Sequence, residues 1–310
     1  MKILLTAIGK RVELIKHLKT QAYVIGADCS ELNPAREFVD KFILIPRVSD
    51  PDYVKALLKI CEEEKVDYLI PLLEDEFPVL SSVSDKFAGV GTNLLLSDSK
   101  VIDICKDKVK TARFFDKYNI PAPKTYYDIK NGEFNLEYPL IVKPSKGMGS
   151  SGVLVVNDSA DLEYALRRTE EPVVQEMLKG KEFTMDIFCD NNGAIIYIVP
   201  RERLEVRSGE VVKSRVVLSD CVIKLSELVM QSLSLEGSVK GPFTLQCFVN
   251  DKNEARMIEI NPRFGGGVPL AFASGADYAS ALKDMLEGKE IKKNEIIPKT
   301  MLRYDDSVFI

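Results

Sequence analysis

The feature that most narrows the fold is a change of texture a little past residue 120. Up to about residue 96, short apolar runs (KILLTAI, YVIGAD, KFILIP, VDYLIPLL) alternate with amphipathic stretches such as RVELIKHLKT and DPDYVKALLKICEEEK. Strands this apolar, separated by helices, predict a parallel sheet covered on both faces. DSKVIDICKDKVKTARFFDKYNIPAP then predicts one or two helices, ending at Pro121 and Pro123. Beyond it, β-rich runs from YPLIVKP to ARMIEINP follow one another across polar turns, interrupted by DLEYALRR and KLSELVMQSLSLEG. That is an α+β texture dominated by antiparallel hairpins. A last helix, YASALKDMLEG, precedes a polar tail. The expected fold class is therefore α/β plus α+β, with units at 1–98, 99–174 and 175–310.

Composition removes whole classes of chemistry. The single histidine, His17, sits in a lysine-rich helical pattern where a solvated face is expected, and it excludes histidine triads, H-E-x-x-H zinc sites and the kinase H-R-D loop. Six cysteines (Cys29, Cys61, Cys105, Cys189, Cys221, Cys247) stand singly, so free and mostly buried thiols are expected rather than a disulfide framework or a zinc ribbon. A net charge of −5 lacks the basic footprint of a nucleic-acid binder, so no such partner is expected. No apolar run approaches the ~20 residues of a membrane helix, so no membrane partner is expected, and the N-terminus lacks a signal-peptide pattern. A cytoplasmic location follows as the expectation. Chemistry is left to carboxylates, lysines, arginines and backbone amides.

The strongest local signal runs from Lys143 to Val153, KPSKGMGSSGV. Gly147, Gly149 and Gly152 match G-x-G-x-x-G, but a dinucleotide site needs a helix directly after the glycines. Here the β-branched run Val153–Val156 follows. A kinase loop carries its lysine on the strand after the glycines, whereas Lys143 precedes them. What remains is a strand, a glycine loop and a strand, with Lys143 and Lys146 at its base. Such small residues let backbone N–H groups approach phosphate oxygens, and the lysines supply charge.

A second constellation lies in FTLQCFVNDKNEARMIEINPRF. The turn Asn250–Asn253 predicts a hairpin. Glu259 and Asn261, two apart, share a face of its second strand, with Gln246 roughly across from them. One charged and two neutral oxygen donors suit Mg²⁺ completed by phosphates, and Arg263 can reach the same phosphates.

Taken together these motifs resemble the ATP-grasp superfamily, closest to its carbamoyl-phosphate-synthase-like and biotin-carboxylase-like branch. The resemblance covers nearly the whole chain. It rests on D-K-x-x-T at Asp107–Thr111, I-V-K-P at Ile141–Pro144, the G-x-G-S-S-G loop, Q-E-M-L-x-G-x-E at Gln175–Glu182 and E-I-N-P-R at Glu259–Arg263. It implies an N-terminal parallel pre-ATP-grasp domain, then an ATP-grasp domain of two subdomains.

The resemblance also implies site roles. Lys108 and Lys143 would contact ATP phosphates under a flap holding Ser145, Gly147, Gly149, Ser150, Ser151 and Gly152. Glu176 (by its carbonyl) and Leu178 (by its N–H), flanked by Gln175 and Met177, would read adenine, and Glu182 would bind ribose. Gln246, Glu259 and Asn261 would hold Mg²⁺, with Mn²⁺ as an alternative ion. Arg263 would stabilise the transferring phosphoryl group, and Lys213 lies near where some relatives place another active-site lysine. The neutral Gln246 stands where an acidic ligand is usual, as in some carbamoyl phosphate synthase sites, which implies weaker but retained metal binding. The chain stops soon after the last helix, without the extra domains of the larger relatives. Carbamoyl phosphate synthesis with tunnelled ammonia and biotin carboxylation are therefore not expected. A homodimer is a common assembly among such proteins.

The expected activity is ATP-dependent joining of a carboxylate to an amine through an acylphosphate, releasing ADP and phosphate. Two alternatives stay open: an ATP-binding regulatory protein, and a phosphotransferase acting on a small molecule. For the substrates, Arg201 and Arg215 are candidates to hold the carboxylate, and Glu74 and Asp75 to hold the amine. Gly9-Lys10-Arg11, at the first strand-to-helix turn, is a candidate anion site.

Overall fold

The computed structural model describes residues 1–129, 134–147 and 152–310. The first unit is a five-stranded parallel sheet in the order β3-β2-β1-β4-β5. Its elements are β1 (Lys2–Thr6), α1 (Val12–Leu18), β2 (Tyr23–Asp28), β3 (Lys41–Leu44), α2 (Tyr53–Glu64), β4 (Tyr68–Pro71), α3 (Glu76–Ser81), α4 (Ser84–Gly89) and β5 (Asn93–Leu94). Apolar side chains alternate to both faces of β1: Ile3 and Leu5 join one core, and Leu4 the other. That is the physical reason its strands read as continuous apolar runs. The two short helices α3 and α4 were not legible in the sequence, because six residues give too few turns for periodicity to register.

Two helices follow, α5 (Ser99–Lys106) and α6 (Lys108–Lys117). Asp107 divides them. Its extended backbone ends α5, and its carboxylate accepts from the N–H groups of Val109 and Lys110, capping α6. The cap sets Lys108 as the first residue of α6.

The second sheet has four strands in the order β6-β9-β7-β8: β6 (Thr125–Tyr126), β7 (Leu140–Pro144), β8 (Leu154–Val156) and β9 (Pro172–Glu176), with α7 (Ser159–Arg168) between β8 and β9. The third has six strands in the order β14-β13-β10-β11-β12-β15. These are β10 (Lys181–Cys189), β11 (Ile195–Arg207), β12 (Glu210–Val216), β13 (Gly241–Val249), β14 (Ala255–Asn261) and β15 (Thr300–Leu302). Every pair described in these two sheets is antiparallel. The tail that the sequence left irregular supplies β15, which pairs with the otherwise open edge of β12.

One face of the six-stranded sheet buries Phe183, Met185, Ile187, Leu245 and Cys247 against α8 (Asp220–Glu236). The other face is left for polar side chains. Two C-terminal helices, α9 (Pro269–Ala273) and α10 (Tyr278–Glu287), close the chain against the first unit. Here the expected solvated His17 is corrected. Its ring stacks on Phe272 at 3.9 Å, and its Nε2 accepts from the Ala279 N–H at 3.3 Å. Burial lowers its pKa, against the opposing pull of Asp277. The lysines around it mark the outer side of α1, whereas His17 lies on the packed side.

The six cysteines are free; Cys61, Cys189 and Cys247 are buried and Cys29 is exposed. Among the described residues no helix is long and apolar enough to cross a membrane.

Candidate active site

The polar face of the six-stranded sheet follows from strand alternation. Thr184 pairs with both Gln246 and Arg201, Gln246 pairs with Glu259, and Thr244 pairs with Asn261. Directly opposed residues on neighbouring strands point to the same face. Gln246, Glu259 and Asn261 therefore form the ladder that the hairpin spacing predicted. The Asn261 amide lies 3.2 Å from Oε1 of both Glu259 and Glu74. With its nitrogen turned to them it donates to both carboxylates. With its oxygen turned to them three oxygen donors converge, the arrangement a hard divalent cation requires. Among the described residues no three His, Cys, Asp or Glu side chains cluster as a metal site, so this donor set leans on amide oxygens.

Glu74 follows β4, at the carboxyl edge of the parallel sheet. Its Oε1 accepts from Arg263 Nε at 2.6 Å, so the first unit and the E-I-N-P-R segment meet here. Glu74 thus orients Arg263 instead of standing free. Its neighbour Asp75 diverges: it is exposed and lies 3.7 Å from Lys106 Nζ.

Both lysines face this ladder. Lys143 on β7 is only 9% exposed. Desolvation lowers its pKa to about 8, while Glu259 raises it and Lys108 lowers it. Burial also lowers the pKa of Lys108, with Glu259 and Glu74 opposing. The Lys108 N–H donates to the Ser145 carbonyl and its Nζ donates to the Gly147 carbonyl, each at 2.9 Å. The start of α6 and the end of β7 are therefore fastened together beneath the glycine loop. Gly147 (φ 120°) and Gly152 (φ 73°) bound that loop in conformations that favour glycine. Gly149, Ser150 and Ser151 lie outside the described residues. The Ser145 hydroxyl donates to Glu171 Oε2 at 2.8 Å, so its side chain braces the loop base and its phosphate role is not supported.

Between the sheets, Gln175 Nε2 donates to Thr125 Oγ1 at 2.8 Å, which makes it a strut between β9 and β6. The Glu176 carboxylate is held by both terminal nitrogens of Arg256, each at 2.6 Å. Its side chain is thereby engaged, and its N–H donates to the Lys124 carbonyl at 2.9 Å. The Leu178 N–H makes no hydrogen bond among the described residues. Met177 donates its N–H to Pro139 at 3.4 Å. Glu182 begins the polar face of β10, with Arg203 Nε at 3.2 Å. Desolvation raises its pKa; Arg203 lowers it and Glu259 raises it. Lys143, Lys108, Glu182 and Glu259 therefore share one electrostatic neighbourhood, drawn from both sheets.

Two expected residues fall elsewhere, and a third is already engaged. Lys213 is exposed on β12 and paired with Glu205 at 2.6 Å. Arg215 lies opposite Glu202 in register and bonds it at 2.8 Å, on the face away from Thr184 and Arg201. Arg201 does lie on the polar face, yet it is 1% exposed and held by both oxygens of Asp186. It is an internal brace, not a surface ready for a carboxylate. Substituting Asp186 by alanine strands that guanidinium and should lower stability by about 3–5 kcal/mol. Denaturant unfolding measures this, and a change below 1 kcal/mol would refute the role. Arg256 and Arg203 were missed because no local spacing marks an arginine whose partner lies far away in sequence.

Fold and site together define a protein in which two antiparallel sheets follow a parallel-sheet unit, with Lys143 of one sheet and Lys108 of the adjoining helix in the electrostatic reach of an acid–amide ladder on the other. The chain belongs to the ATP-grasp family: the ATP-grasp domain model matches residues 105–267, and a PylC-like N-terminal domain model matches residues 3–95. It is 28% identical over 255 residues to the carbamoyl phosphate synthase large chain of Sulfurisphaera tokodaii, covering 77% of this chain and 24% of that one. The chain thus spans about a quarter of the length of the curated relatives it matches. Among solved structures, N5-carboxyaminoimidazole synthetase from Staphylococcus aureus complexed with ADP superposes with a TM-score of 0.78 at 20% identity, covering 97% of this chain and 81% of that one. The biotin carboxylase domain of Hydrogenobacter thermophilus 2-oxoglutarate carboxylase, in complex with MgADP and bicarbonate, gives 0.73 at 14% identity, covering 94% and 71%. At these identities the structural likeness speaks for the fold alone.

Proposed function

We propose that this chain is an ATP-dependent carboxylate–amine ligase acting through an acylphosphate. The observation that carries the reading is the convergence of Lys108 and Lys143 on Glu259, with Asn261 and Arg263 beside it. Phosphoryl transfer asks a protein mainly for positioning and charge neutralisation, and these groups supply both.

Lys143 and Lys108 hold the phosphates of ATP from the β7 side. Glu259 and Asn261, with Gln246, would hold Mg²⁺, which when bound neutralises phosphate charge. Arg263, oriented by Glu74, faces the transferring group. A substrate carboxylate oxygen forms a bond to the γ-phosphorus as the bond to the β,γ-bridging oxygen breaks, leaving ADP. The amine nitrogen then bonds to the acyl carbon, phosphate leaves with the C–O bonding pair, and the amine proton passes to solvent. The site must exclude water at this stage, since water would otherwise hydrolyse the acylphosphate.

The test is an ADP-release screen across pairs of carboxylic acids and amines with Mg²⁺. Release that requires both members of a pair is expected. ADP formed with one acceptor and no amine would instead establish a phosphotransferase. Binding of MgATP without turnover across the whole panel would favour the regulatory reading.

A further inference from the structure

Beyond Arg263 the site continues into a second cluster of charge. Arg11, in the turn between β1 and α1, lies with Nη1 3.7 Å from where a side chain on Gly266 would begin. The carboxylate of Glu210, at the start of β12, flanks the same point at 3.9 Å. Glu210 Oε2 in turn lies 3.3 Å from Arg303 Nη1, just after β15. Glu74 accepts from Arg263. Of these five groups, Arg263 and Arg303 therefore each have a carboxylate partner. The Arg11 guanidinium makes neither a hydrogen bond nor an ion pair among the described residues. The cluster carries one positive charge in excess, on a half-buried side chain.

Resting on the ligase reading, we propose that Arg11, with Arg303 beside it, receives an oxyanion of the substrate other than the carboxylate being activated. The acid substrate would then be a compact molecule bearing a second carboxylate or a phosphate.

Position separates the two anionic ends. Lys143 is influenced by Glu259 and Lys108, whereas Arg11 is influenced by Arg263, Glu210, Arg303 and Glu74. Glu74 borders both groups, since it also acts on Lys108. The nucleotide end and the Arg11 end are thus adjacent but distinct. The glycines leave the room: a side chain at Gly266 would occupy the space between Arg11 and Glu210, and one at Gly267 would meet Arg201 Nη1 at 2.5 Å. Desolvation and the neighbouring Arg263 lower the Arg11 pKa to about 10, although Glu210 opposes them. An incoming anion relieves that burial of an unpaired charge.

Thermal unfolding of the full chain with saturating MgADP tests the inference. Succinate, inorganic phosphate and the neutral isostere succinamide are added at matched ionic strength. In wild type, an anion at ten times its Kd should raise the midpoint by about 3 °C, and succinamide should not. Arg11→Gln should abolish the rise while leaving the shift caused by MgADP intact, and Arg11→Lys should retain part of it. Arg303→Gln, more exposed, should weaken it and guards against misfolding of the first variant. A rise with succinate alone assigns a carboxylate, and with phosphate alone a phosphate group. No rise with either anion, or an equal rise in Arg11→Gln, overturns the subsite. Absence of any MgADP shift in wild type would instead overturn the parent reading.

Discussion

Glu259→Ala should lower ADP release by about 10³-fold, well beyond what loss of a single neutral contact produces. The reason is its double position. Glu259 lies opposite Gln246 in the hairpin ladder and within reach of Asn261, so it is the acid of the proposed metal set. It also raises the pKa of both Lys143 and Lys108 against their desolvation. Removing it withdraws the ion's charged ligand and makes the cationic lysines harder to maintain. Glu259→Gln keeps the volume and one oxygen donor, so it should recover only part of the loss. Turnover in Glu259→Ala within twofold of wild type would refute the metal assignment.

The second large effect is a pH limb set by Lys143. Its pKa is lowered to about 8, so the free protein holds it cationic below that pH and neutral above it. The cation is the form that neutralises phosphate charge. Therefore kcat/KM for ATP should fall as pH rises through about 8, a range in which ordinary lysines remain charged. Lys143→Met should remove the limb and lower the low-pH plateau by roughly 10²-fold. Glu259→Gln should move the limb to lower pH, because the charge that raises the Lys143 pKa is gone. An unchanged profile in Lys143→Met would exclude this lysine from nucleotide binding.

Local signals carried much of the molecule. The parallel sheet was legible because its strands are apolar on both faces, and the hairpin because Asn250–Asn253 marks its turn. The pairing of Gln246 with Glu259 depends on more than the turn: the register that pairs Cys247 with Met257 would carry on to Ile258, and the shift between Gln246 and Cys247 brings Glu259 opposite Gln246 instead. Arg201 and Arg215 look alike as charges in neighbouring β runs, but their faces depend on the pairing of β11 with β12, which is irregular near Glu205. Lys213 illustrates the same difficulty at an edge. The Arg11–Arg303 cluster joins residues from opposite ends of the chain, and only tertiary packing brings them together. His17 was misplaced because sequence showed its charged neighbours in line, and not which side of the helix met Phe272.

The clamp between Glu176 and Arg256 has a mechanical consequence. It joins the last residue of β9 to β14, while the Ala122 carbonyl accepts from the same guanidinium at 2.8 Å. One corner of the opening is thereby pinned. Any separation of the two strands at that corner must first break a two-pronged charged pair and the bond to Ala122, so the corner resists opening more than neutral contacts would.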